Sequence, residues 1–261
     1  MFALIVACGG DTSGGFVAGD GSSVAVATVT RVPGESAVPP TTGTGDETPA
    51  PPGEATETAT GQPAAPIATG TPAAPSSEEL LSGFIYPIAG ACLPQGDQLM
   101  PNAPRTYRLG IHEGVDFYGV DNCTSIGLGT PVLAAKAGTV IRVDHGYVDP
   151  TAAQMNAYLA NPTTEDSFDA FRGRQVWVDH GGGIVTRYCH LSGVVAELQA
   201  GDAVSQGQTI AFVGESGTPG SLSAPGTELH LHWEVRVGAS YLGAGLSAPE
   251  VRALYQALFL Q

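Results

Sequence analysis

The chain has 261 residues and a formal net charge of −15, from 10 Lys+Arg against 25 Asp+Glu. An acidic chain without a basic stripe is a poor match for a phosphate backbone, so no nucleic-acid partner is expected. There is no run of about 20 apolar residues to cross a bilayer. Glycine and proline are abundant (36 and 20), which points to fewer folded residues than the length allows.

Met1 to Cys8 is apolar and stops at a cysteine followed by Gly9-Gly10-Asp11. The run is too short to span a membrane and reads as the end of a signal-peptide hydrophobic region. Ile5-Val6-Ala7-Cys8 resembles a bacterial lipobox, with Cys8 as the lipidated residue. No basic stretch precedes it, which points to a start upstream of Met1. A lipid on Cys8 would tether the protein to a membrane surface without crossing it. Residues 9–79 follow, rich in Gly, Ser, Thr, Ala and Pro. Large apolar residues are too few there to offset ordering entropy, so a disordered linker is expected.

From Leu80 to Gln261 the pattern becomes that of a folded domain. Short apolar runs recur between glycine-rich turns, at 131–135, 138–143, 175–178, 183–188, 208–213 and 228–237. Such punctuation predicts an all-β, mainly antiparallel domain. A short helix is expected to start at Asp149-Pro150 and end near Ala160, within an insertion of about 148–173. A second helix is expected from Ala248 to the C-terminus, with Ser247 and Glu250 as its capping box. Cys92 and Cys123 lie in loops on either side of a motif at 112–116 and are the natural disulfide pair of an exported protein. Cys189 sits inside a strand and reads as a small buried thiol.

The chemistry centres on Glu228-Leu229-His230-Leu231-His232-Trp233-Glu234. In a strand, His230 and His232 share a face. Two imidazoles so placed can share a metal, or one can bind it while the other handles protons. His112-Glu113-Gly114-Val115-Asp116 adds an imidazole and a carboxylate, and Gly114 argues against a zincin-type helix. Tyr188-Cys189-His190 adds a histidine at a strand end. Counting His112, Asp116 and His232 gives three ligands, the number with which a catalytic zinc leaves a position for water. His190 and His230 are left to take a proton from that water or to stabilise an oxyanion. His145 and His180, each between Asp and Gly, read as structural.

In order and spacing these pieces, with Phe84–Pro87, Gly129–Val132, Val178–Gly181 and Gly201–Gln208, resemble the lysostaphin/LytM-type zinc endopeptidases that hydrolyse peptide bonds in bacterial peptidoglycan. The resemblance covers about Phe84 to Val237. It implies one zinc ion on His112, Asp116 and His232, with His190 and His230 assisting. It also implies a sandwich-like β fold, a peptidoglycan peptide as substrate and a place in the cell envelope. All five positions are filled, which counts against a non-catalytic module that binds the wall or activates an amidase. The chain departs from the pattern at Cys189, where alanine is common, at Glu228-Leu229, and in the 148–173 insertion, which can shape a substrate groove. Tyr107 is only a loose match to a tyrosine that steadies the transition state in such enzymes. Gly201–Gln208 also occurs in biotinyl and lipoyl carriers, but no lysine stands at the tip here.

Overall fold

The computed structural model describes residues 77–119 and 121–259. Cys8 and the expected linker as far as residue 76 lie outside the described residues. After a helical turn, α1 (Ser77–Leu80), strands β1 (Pro104–Arg105) and β2 (Gly110–Ile111) make a small hairpin ahead of β3 (Val115–Phe117) and β4 (Pro131–Leu133). Then come β5 (Gly138–Val143), helices α2 (Ala152–Ala160) and α3 (Glu165–Arg172), and strands β6 (Val176–Asp179), β7 (Ile184–Cys189) and β8 (Leu191–Val194). The order closes with β9 (Ala203–Val204), β10 (Thr209–Val213), α4 (Pro219–Ser223), β11 (Leu231–Val237), β12 (Ser240–Tyr241) and α5 (Ala248–Leu258).

Every strand pairing among the described residues is antiparallel. The main sheet runs β12-β11-β7-β6-β5-β9, with β3 also on β11, and a second sheet runs β4-β10-β8. The mainly antiparallel β architecture expected from the sequence is therefore the one present. No helix among the described residues is long and apolar enough to cross a membrane.

β11 is the keystone. Leu231, Trp233 and Val235 are buried in the core, where Trp233 meets Phe84 and Tyr255 edge-on at 6.2 and 6.3 Å. The alternate residues, His232 and Glu234, are also buried but face the other way, as the two-residue period of a strand requires. α5 covers the core side with Val251, Tyr255 and Leu258, each worth about 1.5–3 kcal/mol of burial. Glu250 Oε2 accepts the Ser247 N–H at 2.9 Å, closing the expected capping box.

The structure departs from expectation in four places. The helical turn α1 begins at Ser77, inside the linker expected to run to residue 79. The first insertion helix starts at Ala152, not at Pro150, because Thr151 is its cap: its Oγ1 accepts the Gln154 N–H and Gln154 Oε1 accepts the Thr151 N–H. The insertion also carries a second helix, α3, absent from the reading of the sequence. Thr164 caps it, Glu165 and Asp166 occupy its positive end, and Gly173 ends it at φ 66°. Eight residues with two phenylalanines are too few to show a helical period. Lastly, β11 begins at Leu231. Glu228 turns back to accept the Gly220 N–H at 2.7 Å, and His230 makes an isolated bridge to Gly214.

Cys92 and Cys123 are joined in a disulfide, and Cys189 is free and buried. The bond closes a segment of sequence separation 31 that carries both His112 and Asp116. Loop-closure entropy assigns it about 3–4 kcal/mol. The Cys92→Ser/Cys123→Ser variant is expected to melt roughly 10 °C lower by calorimetry. An unchanged melting temperature would mean that packing alone holds this segment.

Candidate metal centre

Strand register builds the site. β3 and β7 flank β11, and His232 lies directly opposite Asp116 on one side and Cys189 on the other. Residues directly opposite in an antiparallel pair share a face with Cβ atoms about 5 Å apart. Asp116 is thus delivered to His232 by backbone pairing, and His190, one step past Cys189, is brought to the same end of the sheet. His112 lies in the connection between β2 and β3, held by its N–H on the Ala103 carbonyl at 2.8 Å. Only glycine fits at position 114, because a Cβ there would strike the Trp233 carbonyl. The 112–116 segment is a bend running into a strand, as its sequence suggested, and not a helix.

His112 Nε2 and His232 Nδ1 each lie 2.8 Å from Asp116 Oδ1 and 2.9 Å from one another. All three residues are buried. The outward nitrogens decide what these atoms are. His112 Nδ1 faces the Met100 carbonyl at 3.0 Å, and His232 Nε2 faces Glu234 Oε1 at 3.2 Å. Both outward partners are acceptors, so each neutral imidazole keeps its proton on the outside and turns a lone pair inward. Three lone-pair donors then converge on one point, which suits a cation and little else. Burial drives His112 down to about 4, against the pull of Asp116. Burial would raise the Asp116 carboxyl, but His112 and His232 hold it well below the usual range, so it is ionised. Burial also lowers His232, yet its bonds to Asp116 and Glu234 outweigh that and raise it.

His190 and His230 stand beside this trio. Their rings are 4.5 Å apart, and His230 Nε2 is 3.7 Å from Asp116 Oδ1. His190 donates Nδ1–H to the Ser216 carbonyl at 2.8 Å, and His230 Nδ1 sits 2.6 Å from the Glu228 carbonyl. Each therefore offers Nε2 as a lone pair. Burial is the main reason that both pKa values are lowered, which keeps the rings neutral. His190 adopts φ 60°, a left-handed conformation uncommon for a side-chain-bearing residue and concentrated at functional sites. All five histidine and aspartate side chains line one cavity of about 510 Å³. His145 and His180 do not; they bond the Leu198 and Ala137 carbonyls.

Residues 110–243, which contain all five of these side chains, match peptidase family M23. The chain belongs to that family. It is 30% identical over 135 residues to the peptidoglycan DD-endopeptidase ShyA of Vibrio cholerae, a match covering 51% of this chain but only 22% of that protein. A zinc-containing peptidase from Vibrio cholerae aligns at 25% identity and TM-score 0.40, covering 63% of this chain and 41% of that one. The catalytic domain of lysostaphin from Staphylococcus simulans aligns at 25% identity and TM-score 0.34, covering 52% and 74%.

Four residues of this M23 site escaped the sequence reading. Arg105 Nη2 binds Asp116 Oδ2 at 3.0 Å and fixes the carboxylate's rotation. Tyr118 stacks on His230 at 4.3 Å, whereas Tyr107, the tyrosine considered beforehand, is 58% exposed at the cavity rim. Glu234 accepts from His232, and Arg172 of α3 reaches in to bind Glu234 Oε1 and Glu113 Oε2, both at 2.7 Å. Burial would raise Glu234, but Arg172, His232 and Arg236 keep it well below the ordinary carboxylate range. The one legible signal was a carboxylate two residues after His232 on the same strand face. Since such partners set the tautomer and direction of a metal-binding histidine, Glu234→Gln is expected to weaken affinity for a divalent metal about 10–100-fold in a chelator competition. Unchanged affinity would show that His232 keeps its tautomer without this partner.

Proposed function

We propose that the protein is a zinc-dependent endopeptidase that hydrolyses peptide bonds in bacterial peptidoglycan. The observation that carries this reading is the convergence of His112 Nε2, His232 Nδ1 and Asp116 Oδ1 on one point, beside the imidazoles of His190 and His230 that burial keeps neutral. Membership of the M23 family and the likeness to a peptidoglycan DD-endopeptidase support the choice of substrate.

In this reading His112, Asp116 and His232 would hold one zinc ion, which would supply Lewis acidity and a water with a pKa of roughly 7. His190 and His230 do the proton work. One neutral imidazole takes the proton of the attacking water at Nε2 as the new C–O bond forms. The resulting imidazolium hydrogen-bonds the oxyanion, then gives its proton to the leaving nitrogen as the C–N bond breaks. Burial, then Asp116 and Glu228, raise the pKa of Tyr118, which stays protonated as a further donor beside His230. The insertion contributes Leu159, Phe168 and Phe171 to the cavity wall and would shape the groove. The Ile5–Cys8 pattern supports a lipid tether at Cys8 on the outer face of a membrane, with the segment from residue 9 to residue 76 as spacer.

The test is zinc content of the purified protein together with turbidity loss of isolated cell walls, with and without chelator. One zinc per chain and lysis abolished by chelator and restored by zinc are expected. Stoichiometric zinc without chelator-sensitive lysis would make this a wall-binding module instead.

A further inference from the structure

The chain has 10 basic residues for 25 acidic ones. Three of the ten, Arg105, Arg108 and Arg172, line the metal cavity. Arg105 is paired with Asp116, and Arg172 with Glu113 and Glu234. Arg108 has no carboxylate partner among the described residues. Its Nη2 donates to the Ile111 carbonyl at 3.1 Å, and its Nε is buried without a partner.

The carboxylates of the same cavity are all engaged elsewhere. Glu113 is held by Arg172 and Arg236, Glu228 by the Gly220 N–H, and Glu234 by Arg172, Arg187 and Arg236. In so acidic a protein an arginine left open toward a cavity is an unmet demand for an anion. Apolar side chains share the cavity with Arg108. Arg108 Cζ lies 6.0 Å from the Phe168 ring of α3, and Leu159 of α2 and Tyr107 of the β1–β2 hairpin line the same cavity. The 148–173 insertion thus supplies one wall and the hairpin the other.

We propose that Arg108, with Phe168 and Leu159, forms a subsite for a substrate carboxylate carried on an aliphatic chain. The guanidinium takes the carboxylate in charge-assisted hydrogen bonds, and the carbon chain lies against Phe168 and Leu159. Arg108 is a specificity residue: it touches substrate away from the scissile bond, so its loss raises KM and leaves kcat. This inference rests on the peptidase reading above.

The experiment uses the zinc-loaded full chain and soluble peptidoglycan fragments released by a muramidase. Half of the fragments have their carboxyls converted to carboxamides with carbodiimide and ammonia. The wild-type protein is expected to prefer the free carboxylates about tenfold in kcat/KM, the worth of a charged hydrogen bond. Arg108→Gln should abolish the preference through KM, and Arg108→Lys should keep part of it. Equal cleavage of both substrates by the wild type, or an undiminished preference in Arg108→Gln, overturns the subsite and leaves the peptidase reading intact. If neither substrate is cleaved, the peptidase reading fails, and calorimetric binding of the same two fragment pools decides the subsite. About tenfold tighter binding of the carboxylate pool, lost in Arg108→Gln, sustains it, and equal affinity rejects it.

Discussion

His232→Ala is expected to lose zinc and peptide hydrolysis together. The side chain supplies one of three converging donors, and it is the one that both neighbouring strands position. Its removal leaves His112 and Asp116, one imidazole and one carboxylate. The loss in affinity should exceed the 10–100-fold cost of losing an outer partner. The fold should survive, because Leu231, Trp233 and Val235 keep β11 anchored from the other face. Elemental analysis after dialysis and fragment release from cell walls check both halves of the expectation. Full zinc occupancy in this variant would place the ion on other residues.

His190→Ala should give the opposite split: zinc retained and kcat lowered by about 10²–10⁴-fold, the usual contribution of a positioned acid–base group. His190 is not part of the inward trio, and its ring lies 5.7 Å from that of His232. Its Nδ1 is spent on Ser216, so the ring is fixed with Nε2 free, which suits a proton acceptor. Alanine leaves the backbone bond from His190 N–H to the Arg172 carbonyl in place, so the β7–β8 junction should hold. Metal analysis beside turnover measurement separates the outcomes. If zinc is lost with His190, this residue is a ligand and not a proton carrier.

The parts of this site that could be read from the chain are those set by local spacing. His230 and His232 share a face because they stand two positions apart, and Gly114 argued against a helix between His112 and Asp116. The Cys92–Cys123 pair was legible because the two cysteines flank that segment. What could not be read depends on register between distant strands. Nothing local says that Asp116 faces His232 across a ladder, 116 residues away. Arg172 was missed because it comes from a helix too short to show its period. Tyr118 was passed over for Tyr107 because its stack on His230 depends on where β3 ends. The Glu228-Leu229 departure became intelligible only in three dimensions, where Glu228 binds the start of α4 instead of extending β11.

X-ray absorption at the zinc edge of the metal-loaded full chain reads the ligand set itself. One zinc per chain is expected, bound by two imidazole nitrogens and a carboxylate oxygen, with the signal lost along with the metal in His232→Ala and the shell unchanged in His190→Ala. A zinc shell containing sulfur, or one unchanged by His232→Ala, would contradict it.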